Sequence, residues 1–234
     1  MTEFRSTLLV VTISIHAALA AGCSDKCSRD LGYNPEIDPA NFVNGVNNRF
    51  FPLVPGTTFT YEAGDETVDT TVTTERKLIL GVSCVVVHDT ASFNGEVIED
   101  TFDYYAQDRL GNVWYMGEAT EELDHGVVTS THGSWEAGVD GAKPGIIMPA
   151  SPQAGLEYSQ EYLACEAEDR ASVIATDAAA SVPEGDYTGC VKTRDFTPLE
   201  PALNEEKFYC PGKGLVLSVD KVTGDREELT AITH

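Results

Sequence analysis

Short β-prone runs, separated at almost every step by a turn signal, constrain this chain more than any other feature. The clearest step is Asn94-Gly95, a dipeptide that accepts positive φ at both turn positions. It lies between residues 78–89 and 97–107, which are rich in Val, Thr, Phe and Tyr. Similar runs occupy residues 57–62, 67–74, 112–118, 127–135, 156–165, 171–176, 187–196, 204–210, 215–219 and 227–232, with Gly, Pro, Asn or Asp between them. Residues 177–181 form one short helical patch, and a Gly/Pro-rich stretch at 138–155 interrupts the pattern. About a dozen closely spaced strands predict an all-β chain. The expected architecture is an antiparallel meander in a strongly curved sheet, a half-barrel or a barrel. Residues 49–234 are expected to form this single domain, with an irregular N-terminal arm before it.

The N-terminus predicts export. One cation, Arg5, precedes an apolar run at residues 8–21. That run is shorter than the roughly 20 residues a spanning helix needs and fits the core of a signal peptide over residues 1–22. Ala20-Ala21-Gly22-Cys23 resembles a bacterial lipobox, and the resemblance implies that Cys23 is lipidated and begins the mature chain. Residues 23–48 then serve as lipid tether and irregular arm. Cleavage at an ordinary Ala-x-Ala site is the alternative; it leaves Cys23 as a thiol or half of a disulfide. Both readings place the domain outside the cytosol, in the cell envelope facing the periplasm or the cell surface, or secreted.

Asp and Glu number 38 against 15 Lys and Arg, a formal charge of −23 with no polyacidic block. This predicts a solvated acidic surface, which repels nucleic acid and anionic membranes and suits cationic ligands or Ca²⁺. Asp140 and the run Glu166-Ala167-Glu168-Asp169 are the places where Ca²⁺ could sit, although neither has EF-hand spacing. No other cofactor and no metal site is expected. Lys192, Arg194 and Lys207 form a small basic group on a late hairpin, with Arg194 expected to pair with Glu206.

Export permits disulfides. Folding residues 187–210 as a hairpin centred on Glu200 puts Cys190 opposite Cys210, Lys192 opposite Phe208 and Arg194 opposite Glu206. Matched cysteines and matched charges support that register and predict a Cys190–Cys210 disulfide. Cys84, inside an apolar run, is expected to be buried, either free or bonded to Cys165.

Pairing across Asn94-Gly95 aligns Val85 with Tyr104 and Val87 with Phe102. Pairing across Leu110-Gly111 aligns Tyr104 with Met116 and Ala106 with Trp114. One face therefore carries Val85, Val87, Phe102, Tyr104, Trp114 and Met116, as a packed core or as the wall of an apolar ligand site. The other face carries Cys84, Val86, Asp103, Tyr105 and Tyr115. It also needs a cover, from the arm or from the 138–155 stretch. No G-x-S-x-G, P-loop, G-x-G-x-x-G or H-E-x-x-H motif is present. A secreted lyase or hydrolase would have to use Glu118, Glu136 and His132 beside the 138–155 stretch.

Three phrases frame the body: Pro55-Gly56-Thr57-Thr58-Phe59-Thr60-Tyr61-Glu62, Val182-Pro183-Glu184-Gly185-Asp186-Tyr187, and Tyr209-Cys210-Pro211-Gly212-Lys213-Gly214-Leu215-Val216. With them the chain resembles bacterial envelope lipoproteins of the LolA/LolB-like half-barrel type. The resemblance implies a concave apolar face that holds a lipid, another hydrophobic small molecule or a partner segment, with the membrane reached through the N-terminal anchor. A structural or adhesive surface module is the third reading, marked by a filled interior.

Overall fold

The computed structural model describes residues 32–234. The signal peptide, Cys23 and Cys27 lie outside the described residues. The strands, in chain order, begin with β1 (Phe42–Val43), β2 (Val46–Asn48), β3 (Phe51–Leu53), β4 (Thr58–Ala63), β5 (Glu66–Ile79) and β6 (Val82–Phe93). They continue with β7 (Glu96–Asp108), β8 (Val113–Asp124), β9 (Val127–Ser130), β10 (Trp135–Glu136), β11 (Lys143–Met148) and β12 (Glu157–Ser159). The last are β13 (Glu161–Tyr162), β14 (Arg170–Val182), β15 (Gly185–Phe196), β16 (Glu205–Cys210), β17 (Gly214–Asp220) and β18 (Arg226–Thr233).

The sheet is an all-antiparallel meander. Its order runs β12-β14-β15-β16-β17-β18-β4-β5-β6-β7-β8-β11-β13. Pairing of β18 with β4 joins the late strands to the early ones. At the other seam, residues 157–159 pair with β14 and residues 161–162 pair with β11, so one bent segment bridges both ends of the sheet. The result is a barrel closed almost all the way round, which leaves few free edge amides. Gly145 shows how tight the seam is: a Cβ there would lie 2.2 Å from the carbonyl carbon of Gln160.

Several expectations need correction. Residues 177–181 are strand within β14, because pairing with β15 overrides the helix preference of Ala178-Ala179-Ala180. The Gly/Pro-rich stretch 138–155 contains β11, a wall strand paired with β8. Residues 78–89 are divided by a turn at Leu80-Gly81, whose φ values of 49° and 79° match those of an Asn-Gly turn without its signature residues.

The largest correction concerns register. Near the Asn94-Gly95 turn, Phe93 pairs with Glu96 and Ser92 with Val97, as the sequence implies. Ile98 is then an extra residue on β7, and from there Val87 pairs with Asp103 and Val85 with Tyr105. A second bulge, at Met116 and Gly117, follows the expected Ala106–Trp114 pair and moves Tyr104 opposite Gly117. One inserted residue exchanges the two faces of a strand. Val85 and Val87 therefore face the interior with Asp103, Tyr105 and Tyr115. Phe102, Tyr104 and Trp114 lie on the outer face, and Met116 is buried at the bulge.

The outer face is covered at several points. Phe42 of β1 packs edge-on against Trp114 with ring centroids 6.2 Å apart, and β1 pairs with the end of β7. Lys77 covers the Tyr104 ring at 4.1 Å, and His88 stacks on Phe102 at 4.4 Å. The β2–β3 hairpin caps one end of the barrel. Asn47 and Gln107 exchange two hydrogen bonds of 2.8 Å, the Asn48 amide donates to the Gly111 carbonyl at 2.8 Å, and the Gly212 amide donates to the Arg49 carbonyl at 2.7 Å.

Candidate functional site

Alternation along the wall strands decides what enters the barrel. Val85, Val87 and Asp89 point inward from β6, Asp103 and Tyr105 from β7, Lys207 and Tyr209 from β16, and Phe59 and Tyr61 from β4. Under the hairpin cap all of these side chains except Val85 surround a cavity of about 80 Å³, completed by Phe51, Leu53, Ile147 and Leu215. That is room for several water molecules or a small organic molecule. Phe51 closes it from the cap, with ring centroids 5.2 Å from Tyr105 and 6.2 Å from Tyr209. The Tyr61 hydroxyl donates to the Leu215 carbonyl at 3.0 Å and holds the ring against the wall.

The interior is also acidic, a property that counting charges did not reveal. Glu66, Asp89, Asp103 and Glu118 are buried on the β5–β8 side. Asp169, Asp195, Glu205 and Glu227 are buried on the other, and Glu161 is buried at the seam between them. Part of the acid assigned to the surface is therefore inside. Lys207 is the one buried lysine or arginine among the described residues. Its ammonium lies 3.3 Å from Asp195 and 3.5 Å from Glu205. Burial works against its charge, but these carboxylates outweigh it and hold the Lys207 pKa well above the usual lysine value.

No such cation among the described residues reaches the β5–β8 side. Asp103 pairs directly with Glu118 across β7 and β8 and accepts the Tyr115 hydroxyl. Asp89 faces the cavity with Oδ1 unpartnered, and Glu118 keeps Oε1 unpartnered. Burial, reinforced by Asp103, raises the Asp89 pKa well above the ordinary carboxylate range. Burial, reinforced by Glu161 and Asp103, does the same to Glu118. Burial lifts Asp169 to about 7, and burial with Glu99 nearby lifts Glu66 to about 7. The sequence carries one signal for these acids, their phase, which groups them with apolar neighbours but does not say which face is interior. Val85-x-Val87-x-Asp89, Asp103-x-Tyr105, Glu66-x-Val68 and Glu227-x-Leu229 each put a carboxylate in step with inward apolar residues.

The residues proposed for acid–base chemistry do not converge. Glu118 points into the barrel opposite Trp135. Glu136, one residue further along β10, points outward to Lys77 at 2.8 Å. His132 reaches Glu166 at 3.1 Å from a surface turn. The calcium candidates are similarly divided: Glu168 caps the Cys165 amide at 3.0 Å, Glu166 holds His132, and Asp169 is interior. Among the described residues no group of three or more His, Cys, Asp or Glu is arranged to hold a metal ion. The basic group is divided too. Lys207 is interior, Lys192 pairs with Glu206 at 2.7 Å, and Arg194 bonds Asn204 at 3.0 Å instead of Glu206.

The late hairpin has the expected register. Lys192 pairs with Phe208, Arg194 with Glu206, and Cys190 is disulfide-bonded to Cys210. Cys84 is free and buried, whereas Cys165 is disulfide-bonded, so those two are not joined. No helix among the described residues is long and apolar enough to cross a membrane.

The fold and cavity define an antiparallel meander barrel with an aromatic and acidic interior. No protein-family model matches the chain, and no curated protein sequence does. A crystal structure of a candidate lipoprotein from Parabacteroides distasonis superposes over 80% of this chain and 99% of its own, at 10% identity and a TM-score of 0.42. A likeness of that size transfers no property to this chain.

Proposed function

We propose that the protein is an exported binding protein, tethered through Cys23, that holds a small, largely apolar molecule in the barrel cavity beneath the β2–β3 hairpin. The cavity carries this reading: Phe51, Phe59, Tyr61, Tyr105, Tyr209 and Leu215 offer an apolar, aromatic wall that the protein's own side chains leave partly unfilled. The wall differs from the face first expected, but its composition suits the same role. The lipobox-like Ala20-Ala21-Gly22-Cys23 supports the tether, and the three envelope-protein phrases support kinship with LolA/LolB-like carriers. The enzyme reading loses its motive, because Glu118, Glu136 and His132 are directed apart.

The test has two parts. Mass spectrometry of the full chain purified from its host is expected to show a lipid-modified Cys23 as the first residue and a co-purifying small molecule. Delipidated protein is then expected to bind a hydrophobic fluorescent dye, and Leu215→Trp, which fills the cavity, is expected to weaken that binding at least tenfold. A free Cys23 would remove the tether. A delipidated barrel that takes up neither dye nor fatty acid would remove the carrier role.

A further inference from the structure

The apolar wall does not explain the carboxylates. A carboxylate moved out of water costs several kcal/mol unless it meets a cation or protonates. On the Lys207 side the cation is supplied by the chain. On the cavity's other wall, Asp89 and Asp103 stand side by side, 5% and 3% exposed, with no lysine or arginine among the described residues in contact. Lys213 lines the rim, but its ammonium is 3.3 Å from Glu184. Asp89 Oδ1 and the Thr70 hydroxyl, which face each other across β5 and β6 beside the cavity, make no close hydrogen bond among the described residues, and Asp89 interacts with Thr70 and Asp103 only at longer range.

We infer that the cavity accepts a small organic ammonium, a protonated amine on an apolar body, with its charge against Asp89 and Asp103 and its body among Tyr61, Tyr105 and Tyr209. The inference rests on the carrier reading and names the ligand class for the same cavity. Two features select an organic cation over the alternatives. The carboxylates are not grouped as metal ligands among the described residues. The tyrosine rings beside them offer the negative π-faces that attract ammonium ions. The same carboxylates disfavour an anionic ligand such as an ionised fatty acid. Thr70 and the unpartnered Asp89 oxygen supply an acceptor set that a primary ammonium, with three donors, can satisfy.

Titration calorimetry on the delipidated full chain separates the possibilities with three probes of similar shape: phenethylammonium, 2-phenylethanol and 3-phenylpropanoate. The amine is expected to bind at least tenfold more tightly than the alcohol, and the carboxylate least well. Asp89→Asn, a near-isosteric change, is expected to bring amine and alcohol within about threefold while leaving the alcohol's affinity unchanged. Asp103→Asn should act in the same direction. If the alcohol equals the amine in the unmodified protein, or the carboxylate binds best, the ammonium assignment is wrong and the carrier reading stands. If none of the three binds and the hydrophobic dye also fails, both fall.

Discussion

Raising the pH of the ligand-free protein from about 4.5 to 7.5 should destabilise it, in contrast to the behaviour of proteins whose carboxylates are salt-bridged. Asp169 and Glu66 illustrate the sign. Each has a folded-state pKa of about 7 against ordinary values of 3.8 and 4.5. Below the unfolded pKa both states hold the proton, and the stabilising contribution is complete. Between about pH 4 and 7 the unfolded chain releases protons that the folded chain retains, so each rise in pH favours unfolding. Above the folded pKa the loss is complete. At about 1.4 kcal/mol per unit of pKa difference, each group withdraws at most about 3.5–4.5 kcal/mol. Neighbouring buried acids compete to ionise, so their contributions do not add in full. Asp89, Glu118, Glu161 and Glu227, all raised by burial, add to the effect in the same direction.

A net loss of about 3–6 kcal/mol would lower the melting temperature of a domain this size by roughly 10–20 °C. Thermal unfolding followed by circular dichroism at half-unit pH steps measures it. Repeating the series in about 0.5 M NaCl separates the buried acids from surface repulsion, because salt screens exposed charges far more than buried ones. Asp169→Asn should flatten part of the slope. A melting temperature that is constant or rises over this range, or a slope abolished by salt, would refute the interior-acid argument.

Three further outcomes test the fold. Gly145→Ala should open or distort the β11 seam, costing more than about 3 kcal/mol, since its Cβ would fall 2.2 Å from Gln160 backbone; urea unfolding reads the loss. Replacing Cys190 and Cys210 together with alanine should lower stability by about 3 kcal/mol for the 20-residue separation, seen as a lower urea midpoint in the double variant. Lys207→Met should cost about 3–5 kcal/mol at pH 7.5, because it strands Asp195 and Glu205 without their cation, and the deficit should shrink as pH falls and carboxylates protonate.

Local signals in this chain were sufficient for most strands and for its clearest turn. Asn94-Gly95 specifies a turn because both residues accept positive φ, and β-branched runs specify strands because they suit a pleated, half-buried surface. The Cys190–Cys210 register could be read from the sequence because that pairing stays in step from the cysteines to Arg194 and Glu206. Tertiary structure decided everything that depends on which side of a strand faces in. Ile98 and Met116 each insert a residue that no composition or dipeptide announces, and each exchanges the two faces beyond it. Bulges are set by how the closing sheet must bend, a demand that arises only when β18 meets β4 and residues 157–162 bridge the seam. For the same reason the charge total could be counted in advance but its placement could not: a carboxylate beside a valine reads the same whether its strand later turns that side toward water or toward the enclosed cavity.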